Sequence, residues 1–462
     1  MLITDTTICA VSTAPGVGAI ATIRIAGPEA LSIVDKVFRS PKEGKQLSAQ
    51  RGGTFHYGTI TDGQEDIDEV VVAVFKAPYS FTGEDIAEIT CHGSVVIQRR
   101  IIQVLLQYGA RMAKPGEFTQ RAFANGKMDL SQAEAVADLI ASQSDVARKV
   151  ALRQMKGGFS EQLKALRGRL LEFTSLLELE LDFPEEDVEF ADRTQLLSLI
   201  VEIEEVVSRL AKSFVVGNAI KNGVPVAIVG PTNAGKSTLL NALLGEERAI
   251  VSDIHGTTRD TIEDTIDLEG FIFRFIDTAG IRKTEDTIES IGIERTYSKL
   301  VEASVVILML DSTSDEEERK EVILDVIERL DYDRQKLIIV YNKKDLAQPN
   351  DSIQYERECE VLYISARDGD GIKLLQEALL RTIDTGIVEA DETIVTNMRH
   401  YEALLNSQNS LCRVREGLEC NLSGELVAMD IHEALDELGS ITGEVSSQDV
   451  LNNIFKNFCI GK

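Results

Sequence analysis

Residues 230–237 have the types and spacing needed to bind the phosphates of a nucleotide. The segment reads GPTNAGKS and fits the pattern G-x-x-x-x-G-K-[ST] without a mismatch. Its glycines let backbone N–H groups approach phosphate oxygens, Lys236 can reach the terminal phosphates, and the Ser237 hydroxyl can ligate Mg²⁺. The segment therefore predicts a phosphate-binding loop.

Apolar runs predict the elements that position this loop and a second motif. Val226–Val229 precedes the loop as a buried strand, and Thr238–Leu244 follows it as a helix that Gly245 can close. A further predicted strand, Phe271–Ile276, ends at Asp277-Thr278-Ala279-Gly280. We expect this second motif to bring a carboxylate and a glycine amide to the γ-phosphate.

Two further motifs select the base. Asn342-Lys343-Lys344-Asp345 follows the predicted strand Leu337–Tyr341, and Ser365-Ala366-Arg367 follows the predicted strand Val361–Ile364. The Asp345 carboxylate can accept two hydrogen bonds from the N1–H and 2-amino edge of guanine, which adenine does not offer. Four motifs in this order, each at the end of a predicted strand, indicate a Ras-like doubly wound GTPase domain.

Two positions concern the metal ion and the attacking water. A hydroxyl from Thr257-Thr258 can complete the Mg²⁺ shell. The residue after Gly280 is Ile281, where a Ras-type enzyme carries the glutamine that orients water. Because a hydrophobic side chain cannot do this, either hydrolysis is very slow or another residue and another charge take over.

Composition limits the class of protein. The 462 residues predict two to four domains, and the net charge of −28 argues against binding nucleic acid through bulk electrostatics. The six cysteines contain no CxxC pair, so neither a disulfide framework nor a zinc site is expected. No signal peptide or membrane-length apolar run is visible, which predicts a soluble, cytoplasmic protein.

The regions outside the GTPase domain predict two kinds of structure. Residues 1–120 form a small α/β domain, in which strands such as Glu69–Phe75 accompany a helical stripe at Ile97, Ile101, Val104 and Leu105. Residues 121–217 are helical, and Ser131-Gln-Ala-Glu134 matches a capping box.

The GTPase domain spans residues 218–384, and residues 385–462 return to helix. Ile431, Leu435 and Leu438 lie on one face there. Since this last stretch is short for an independent domain, we expect one helical domain that the GTPase domain interrupts.

Two charge runs lie in the first helical part. Seven basic residues and one acid occur between Ala147 and Leu171, which favours a solvated helix face over a phosphate-binding stripe. Glu178–Asp192 carries eight acids and no base, and no chemistry is assigned to it.

The whole chain resembles the MnmE (TrmE) family of bacterial and organellar tRNA-modification GTPases. The segments that carry the resemblance are Phe81-Thr-Gly-Glu-Asp85 with Gly93, Lys114-Pro-Gly-Glu-Phe118, Asp182-Phe-Pro-Glu-Glu186, Gly256-Thr-Thr-Arg-Asp260, Ile291-Gly-Ile-Glu-Arg295, Ile441-Thr-Gly-Glu444 and Cys459-Ile-Gly-Lys462.

The resemblance implies an N-terminal tetrahydrofolate-binding-like domain that dimerises, and a flavoprotein partner, MnmG (GidA), in a heterotetramer. Together they would add an aminomethyl or carboxymethylaminomethyl group to C5 of the wobble uridine of tRNA. A 5-formyl- or methylene-tetrahydrofolate would supply the one-carbon unit, and FAD and NADH would act on the partner. The folate contacts would be Arg24, Glu88, Lys127 and Lys462: basic groups pair with folate carboxylates, and Glu88 accepts from the pterin amino edge.

The resemblance also implies a substitute for the missing glutamine. Potassium and GTP-dependent pairing of two GTPase domains would activate hydrolysis, with K⁺ held by Asn233, Ser252, Ile254 and Thr257. Glu289 would act as general base through a bridging water, and Mg²⁺ would be held by Ser237 and Thr258. The complete set of expected GTP contacts is Asn233, Ala234, Gly235, Lys236, Ser237, Thr238, Ser252, Asp253, Ile254, His255, Gly256, Thr257, Thr258, Asp277, Thr278, Ala279, Gly280, Asn342, Lys343, Lys344, Asp345, Ser365, Ala366 and Arg367.

Alternatives stay open at two points. Cys459 is either a nucleophile toward a uridine or an iminium, or part of a tail that simply delivers Lys462 to the folate pocket. The chain itself is either a GTP-dependent tRNA-modifying subunit, a regulatory or ribosome-assembly GTPase without base chemistry, or a stand-alone folate-dependent transferase whose GTPase gates access.

Overall fold

The computed structural model describes residues 5–182, 193–246, 264–276, 302–332, 334–347, 359–383, 393–456, 458 and 461. The chain divides into two compact units. One contains residues 1–140, 152–200 and 410–462, and the other contains residues 141–151 and 201–409. The domain boundaries expected from the sequence therefore stay predictions, because this division groups part of the helical segments with each sheet.

The first unit is built on a seven-stranded sheet with the order β3-β4-β5-β6-β2-β1-β7. Its strands are β1 (Ile8–Val11), β2 (Ile20–Ala26), β3 (Phe38–Arg39), β4 (Thr54–Thr61), β5 (Asp66–Phe75), β6 (Ile86–His92) and β7 (Arg111–Met112). The β1–β7 pair is parallel, and the other described pairs are antiparallel.

One face of this sheet is covered by helices α1 (Ala30–Val37) and α2 (Val95–Gln107). Alternate residues of β5 point into the core, so that Val70, Val72 and Val74 are buried whereas Val71 is exposed. Within the predicted stripe of α2, Ile101, Val104 and Leu105 are buried and Ile97 packs against the core at partial burial.

The part of the chain that the structure describes contains further helices. They are α3 (Glu117–Ala124), α4 (Leu130–Ala141), α5 (Asp145–Met155), α6 (Gly158–Asp182), α7 (Arg193–Asn222), α8 (Lys236–Glu246), α9 (Glu316–Arg329), α10 (Ile372–Arg381), α11 (Met398–Glu419), α12 (Gly424–Thr442) and α13 (Gln448–Lys456). Of these, α6 and α7 are the longest. In the first unit α12 packs on α6, with Ile431, Leu435 and Leu438 buried as the periodicity predicted.

The start of α4 differs from the prediction. The helix begins at Leu130, so Ser131 lies inside it and the predicted capping box at Ser131–Glu134 is wrong. Asp129 is the capping residue: its Oδ1 accepts the Gln132 N–H at 3.0 Å, and the Gln132 Oε1 accepts the Asp129 N–H at 2.9 Å. The same reciprocal arrangement thus occurs two residues earlier, with aspartate and glutamine in place of serine and glutamate.

Several side chains of the basic run pair with acids. Lys149 contacts Asp145 at 2.9 Å, and Lys164 contacts Asp129 at 3.1 Å. Arg167 binds Glu444 and donates to the Leu435 carbonyl at 3.2 Å. Such pairs are those of a charged helix surface, the interpretation that the sequence favoured.

The second unit is built on a six-stranded sheet with the order β13-β12-β11-β8-β10-β9. Its strands are β8 (Val224–Val229), β9 (Asp264–Leu268), β10 (Phe271–Phe275), β11 (Val305–Asp311), β12 (Lys336–Asn342) and β13 (Glu360–Tyr363). The β9–β10 pair is antiparallel, and the other described pairs are parallel.

Helices cover both faces of this sheet. Along β11, Val305, Ile307 and Met309 pack with α8 and α10, while the residues between them pack with α9. Strands buried on both faces explain the nearly continuous apolar runs in the sequence. The predicted fold class, an α/β domain with helices and a doubly wound GTPase domain, is confirmed. Gly245 does not close α8, because the helix continues through it to Glu246.

Candidate functional site

The loop between β8 and α8 has a backbone that requires its glycines. Gly230 has φ 144° and Gly235 has φ 100°, conformations that side chains disfavour. A Cβ on Gly235 would lie 2.3 Å from Asn342 Nδ2, and one on Gly230 would lie 2.1 Å from the Met309 carbonyl oxygen. The loop therefore forms a cradle of backbone that only glycine permits at these two positions, which is what close approach to a phosphate needs.

The Lys236 side chain folds back over this loop and binds its backbone. Its Nζ donates to the carbonyl oxygens of Gly230 and Pro231, each at 2.7 Å. Burial lowers the pKa of this ammonium group. Since α8 begins at Lys236, positive charge and the helix N-terminus meet at the same point, which favours an anion there.

The buried Asn342 side chain joins three of the predicted motifs. Its Nδ2 donates to the Ala234 carbonyl at 2.8 Å, and its Oδ1 accepts the Ala366 N–H at 2.9 Å. The phosphate loop, the end of β12 and the loop after β13 are thereby held together by one side chain. Ser237 is half-buried in α8, whereas Asn233, Thr238 and Arg367 are exposed.

The residues after Asn342 present one carboxylate to solvent. Asp345 is exposed and forms no hydrogen bond or ion pair with any residue that the structure describes. Lys343 has φ 65° and its ammonium group pairs with Asp311. Lys344 pairs with Asp370 at 2.7 Å. The two lysines are thus held by acids on either side, and the Asp345 carboxylate can accept a ligand's donors.

Asp311 is a residue that the motifs did not reveal. It ends β11 beside Asn342, and its Oδ1 accepts both the Thr313 N–H at 2.9 Å and the Thr313 hydroxyl at 2.7 Å. Burial acts to raise the pKa of Asp311, but the bonds from Lys343 and Thr313 outweigh it and lower the pKa. The available signal in the sequence was an acid directly after the apolar run Val305–Leu310.

A second cluster of polar residues lies on the seven-stranded sheet. Arg24 of β2 and Glu88 of β6 are cross-strand neighbours. The Arg24 Nε and Nη2 atoms contact Glu88 Oε1 at 2.8 and 2.7 Å. The Arg24 guanidinium carbon also lies 5.2 Å from the Phe81 ring centre and 5.6 Å from the Phe118 ring centre. Two aromatic rings and a carboxylate therefore fix this guanidinium group.

The end of the chain reaches the Arg24 cluster. Gly461 has φ 98°, and a Cβ there would lie 2.3 Å from the Val11 carbonyl oxygen. Its own carbonyl accepts a hydrogen bond from Arg24 Nη1 at 3.4 Å. Before it, Phe455 and Phe458 pack against Leu130. Residue 461, far from Arg24 in sequence, is thus its neighbour in the fold.

The loop of residues 81–85 connects Arg24 with Lys127. Phe81 lies at Arg24, and a Cβ on Gly83 would lie 3.3 Å from the Lys127 Cγ. The Lys127 Nζ donates to the Pro78 carbonyl at 3.0 Å. Arg24 and Lys127 therefore border one loop, although they are far apart in the sequence.

A buried ion-pair cluster anchors this loop. Arg121 donates to Glu84 at 2.9 Å and contacts Glu117 at 3.3 Å, and Arg111 also binds Glu117. Burial acts to raise the pKa of Glu117, but the hydrogen bonds from Arg111 and the Lys114 N–H, together with the charges of Arg111 and Arg121, outweigh it and lower the pKa. Loss of one partner would leave an uncompensated buried charge, so the cluster holds the loop firmly.

Comparisons with known proteins cover the chain from end to end. A family model described as the MnmE helical domain matches residues 130–459, and one described as the GTP-binding protein TrmE N-terminus matches residues 7–127. The tRNA modification GTPase MnmE of Bacteroides thetaiotaomicron is 54% identical over 464 residues, covering 99% of each chain. That of Flavobacterium johnsoniae is 53% identical over 467 residues, covering 100% of each. The chain belongs to the MnmE family of tRNA modification GTPases.

Membership of the MnmE family confirms the predicted resemblance and the predicted enzyme class, a GTPase. Among the helices of the described ranges, none has the length and apolar character to span a bilayer. Those ranges also contain no cluster of three or more His, Cys, Asp or Glu side chains arranged to hold a metal ion.

Several predicted site residues of this MnmE-family chain lie outside the described residues. They are Ser252, Asp253, Ile254, His255, Gly256, Thr257, Thr258, Asp277, Thr278, Ala279, Gly280, Glu289, Cys459 and Lys462. Their roles stay predictions. Phe81 and Phe118, by contrast, are described and adjoin Arg24, and sequence reasoning had not assigned them a role although both occur in the segments that carry the family resemblance.

Proposed function

We propose that this chain hydrolyses GTP in the cytoplasm and, with the flavoprotein MnmG, modifies C5 of the wobble uridine of tRNA. The observation that carries the GTP site is the Asn342 side chain, which joins the glycine cradle to the two loops expected to bind guanine. Family membership carries the tRNA substrate. The product would be an aminomethyl or carboxymethylaminomethyl uridine.

The chain's own residues would bind the nucleotide as follows. Backbone N–H groups of the loop and the start of α8 meet the phosphates, and the Lys236 ammonium exchanges its two carbonyl acceptors for phosphate oxygens. Asp345 accepts the guanine N1–H and 2-amino groups. Ser237 and Thr258 would hold Mg²⁺, which offsets the charge on the β- and γ-phosphates.

Hydrolysis requires a substitute for the glutamine that Ile281 replaces. Asn233, exposed and with φ 62°, lies on the rim of the loop, where its side-chain oxygen suits a hard monovalent cation. Asn233, Ser252, Ile254 and Thr257 would hold K⁺, which supplies positive charge when two GTPase domains pair. Glu289 would accept the proton of the attacking water through a bridging water.

The Arg24 cluster would bind a reduced folate, 5-formyl- or methylene-tetrahydrofolate. Because Arg24 and Glu88 already neutralise each other, we expect the pair to act together at the pterin, with Glu88 Oε2 accepting from its amino edge. The folate carboxylates would then be met by Lys127 and Lys462. FAD and NADH would act on MnmG. For Cys459 both alternatives stay open: it would act either as a nucleophile or as part of the tail that delivers Lys462.

An exposed apolar surface supports dimerisation of the N-terminal sheet. Phe55, Tyr57 and Val71 are 73%, 55% and 41% exposed on the sheet face that carries Glu88. A patch of this kind favours association with a second copy, and two copies would join two MnmG chains in a heterotetramer.

Phe55→Glu should halve the molecular mass of the protein measured by light scattering, because it places a charge in this patch. Leu324→Glu, which alters an exposed leucine of α9, should leave the mass unchanged. A Phe55→Glu protein that is still a dimer would contradict this surface.

The test of the proposal measures tRNA nucleosides. Cells lacking the protein receive the wild type, Lys236→Ala or the surface control Lys320→Ala, and the nucleosides are analysed by mass spectrometry. We expect the 5-substituted wobble uridine to return with the wild type and the control only. Unchanged nucleosides in the deletion strain would refute base modification and favour a regulatory or ribosome-assembly GTPase. Modification without any flavoprotein would favour a stand-alone folate-dependent transferase.

A further inference from the structure

The hairpin of β9 and β10 lies at the edge of the six-stranded sheet, and its strands pair along five residues each. Its two turn residues, Glu269 and Gly270, have φ 52° and 88°, as a two-residue type I′ turn requires. The Gly270 N–H donates to Asp267 Oδ1 at 2.7 Å. In the described sheet β9 pairs with β10, so the hairpin is attached through one strand.

The tip of this hairpin packs on α5. A Cβ on Gly270 would lie 2.5 Å from Val146 Cγ2 and 3.3 Å from Val146 Cβ. Leu268 and Phe271, on either side of the turn, share a buried cluster with Val150 of the same helix. Ser144 caps α5 next to the contact, since its Oγ accepts the Ala147 N–H at 3.1 Å. The absence of a side chain at Gly270 is therefore what admits Val146.

The hairpin connects two segments that the sequence predicts to contact the nucleotide. The residues just before β9 include Thr258, and the residue that follows Ile276 is Asp277. Both ends of the hairpin thus continue into segments that the sequence predicts to contact Mg²⁺ and the γ-phosphate. Because backbone hydrogen bonds join the two strands, a displacement at either end would be carried to the tip. The tip lies against α5, which continues to Met155.

We propose that the hairpin tip and α5 form an internal docking surface through which the nucleotide state acts on the helical part of the chain. The inference rests on the proposed function in one respect, namely that the protein binds guanine nucleotides. The inference goes beyond that function by naming what the hairpin between the two predicted nucleotide-contacting segments packs against, which is an apolar face of α5 centred on Val146.

Hydrogen exchange of the full chain tests the inference. The exchange of the α5 amides is compared between protein saturated with GDP and protein saturated with a non-hydrolysable GTP analogue, in the wild type, in Val146→Ala and in Val215→Ala. Val215 lies on α7 and is 75% exposed, so it is a matched control for removing two methyl groups from a helix surface. We expect α5 exchange to differ about threefold between the two nucleotides in the wild type and the control, and the difference to fall by more than half in Val146→Ala.

Two results would overturn the inference. Equal α5 exchange in both nucleotide states of the wild type would do so, as would an undiminished difference in Val146→Ala. A fluorescent GDP analogue measures binding in the same samples: no binding by the wild type would refute the proposed function, whereas binding with equal exchange would refute the docking surface alone. Should Val146→Ala fail to fold, Val146→Thr keeps the side-chain shape but buries a hydroxyl, and the same loss is expected.

Discussion

The nucleotide site and the Arg24 cluster are assembled in opposite ways. At the nucleotide site, one continuous segment supplies the loop Gly230–Gly235 and the start of α8, and the other described segments follow the neighbouring parallel strands β12 and β13. At the Arg24 cluster, an arginine on β2 and a glutamate on the antiparallel strand β6 meet residue 461, and a lysine lies across the adjoining loop. The nucleotide site thus depends on the backbone geometry of one loop. The Arg24 cluster depends on the register of β2 with β6 and on the position of Gly461.

This difference predicts how each site fails. A loop whose backbone does the binding is damaged by adding atoms, because a Cβ has no space there. A cluster of side chains from distant elements is damaged by removing one partner. This damage is limited, because the other side chains keep their positions and each loses one interaction. The first kind of change should be the more severe.

Gly235→Ala should have the largest effect. The new methyl group would lie 2.3 Å from Asn342 Nδ2 at a φ of 100°, so the loop must open. We expect GDP affinity to fall by about 100-fold, or about 2.8 kcal/mol, in titrations with a fluorescent analogue. Gly245→Ala is the matched control, because nothing lies within 4 Å of its Cβ position. Affinity within twofold for both variants would contradict the cradle.

Asp345→Asn should change which base the site prefers. An amide can donate to the 2-oxo group of xanthine but cannot accept two hydrogen bonds from guanine. We expect GTP binding to weaken by about 30-fold and XTP binding to improve, measured by competition. Asp325→Asn, which alters a surface pair with Arg329, should leave the ratio unchanged. An unaltered preference for GTP over XTP would refute the role of Asp345.

Arg24→Ala tests the cluster made by side chains. Its loss leaves Glu88 without the cation that it contacts, and we expect the affinity for 5-formyl-tetrahydrofolate to fall by about 10-fold, measured by calorimetry. Hydrolysis of GTP should stay within twofold, which separates the two sites. Arg39→Ala removes a surface pair with Asp66 and serves as control. Folate affinity that survives Arg24→Ala would place the folate elsewhere.

Asp311→Asn should have the smallest effect, because Asp311 acts through Lys343. We expect GDP and GTP affinities to fall equally, by about threefold to fivefold. The pKa of Asp311 is lowered, so its carboxylate stays ionised and its contribution is constant from pH 5 to pH 8; it is lost only as the pH falls through that lowered pKa. In a Lys343→Met background, Asp311→Asn should change affinity no further. Additive losses would show that the two act independently.

The same contrast explains what could be predicted from the sequence. The phosphate loop, Asn342 and Asp345 follow from spacing, because parallel strands deliver their carboxyl ends to one edge in a fixed order. Arg24 and Glu88 were reached only through the family resemblance, since nothing in sequence spacing states that these two become cross-strand neighbours. Asp311 and the hairpin contact at Val146 were missed for a related reason: both depend on which residues of two elements face each other.

Where the GTPase segment joins the rest of the chain has one more consequence. The chain leaves α7 through Gly223, and on its return Val395 donates its N–H to the Ser213 hydroxyl at 3.0 Å. A Cβ on Gly217 would lie only 2.0 Å from the Val395 carbonyl oxygen. Exit and re-entry thus lie side by side on one helix, so a few glycine and serine residues could bridge them if residues 223–394 were excised.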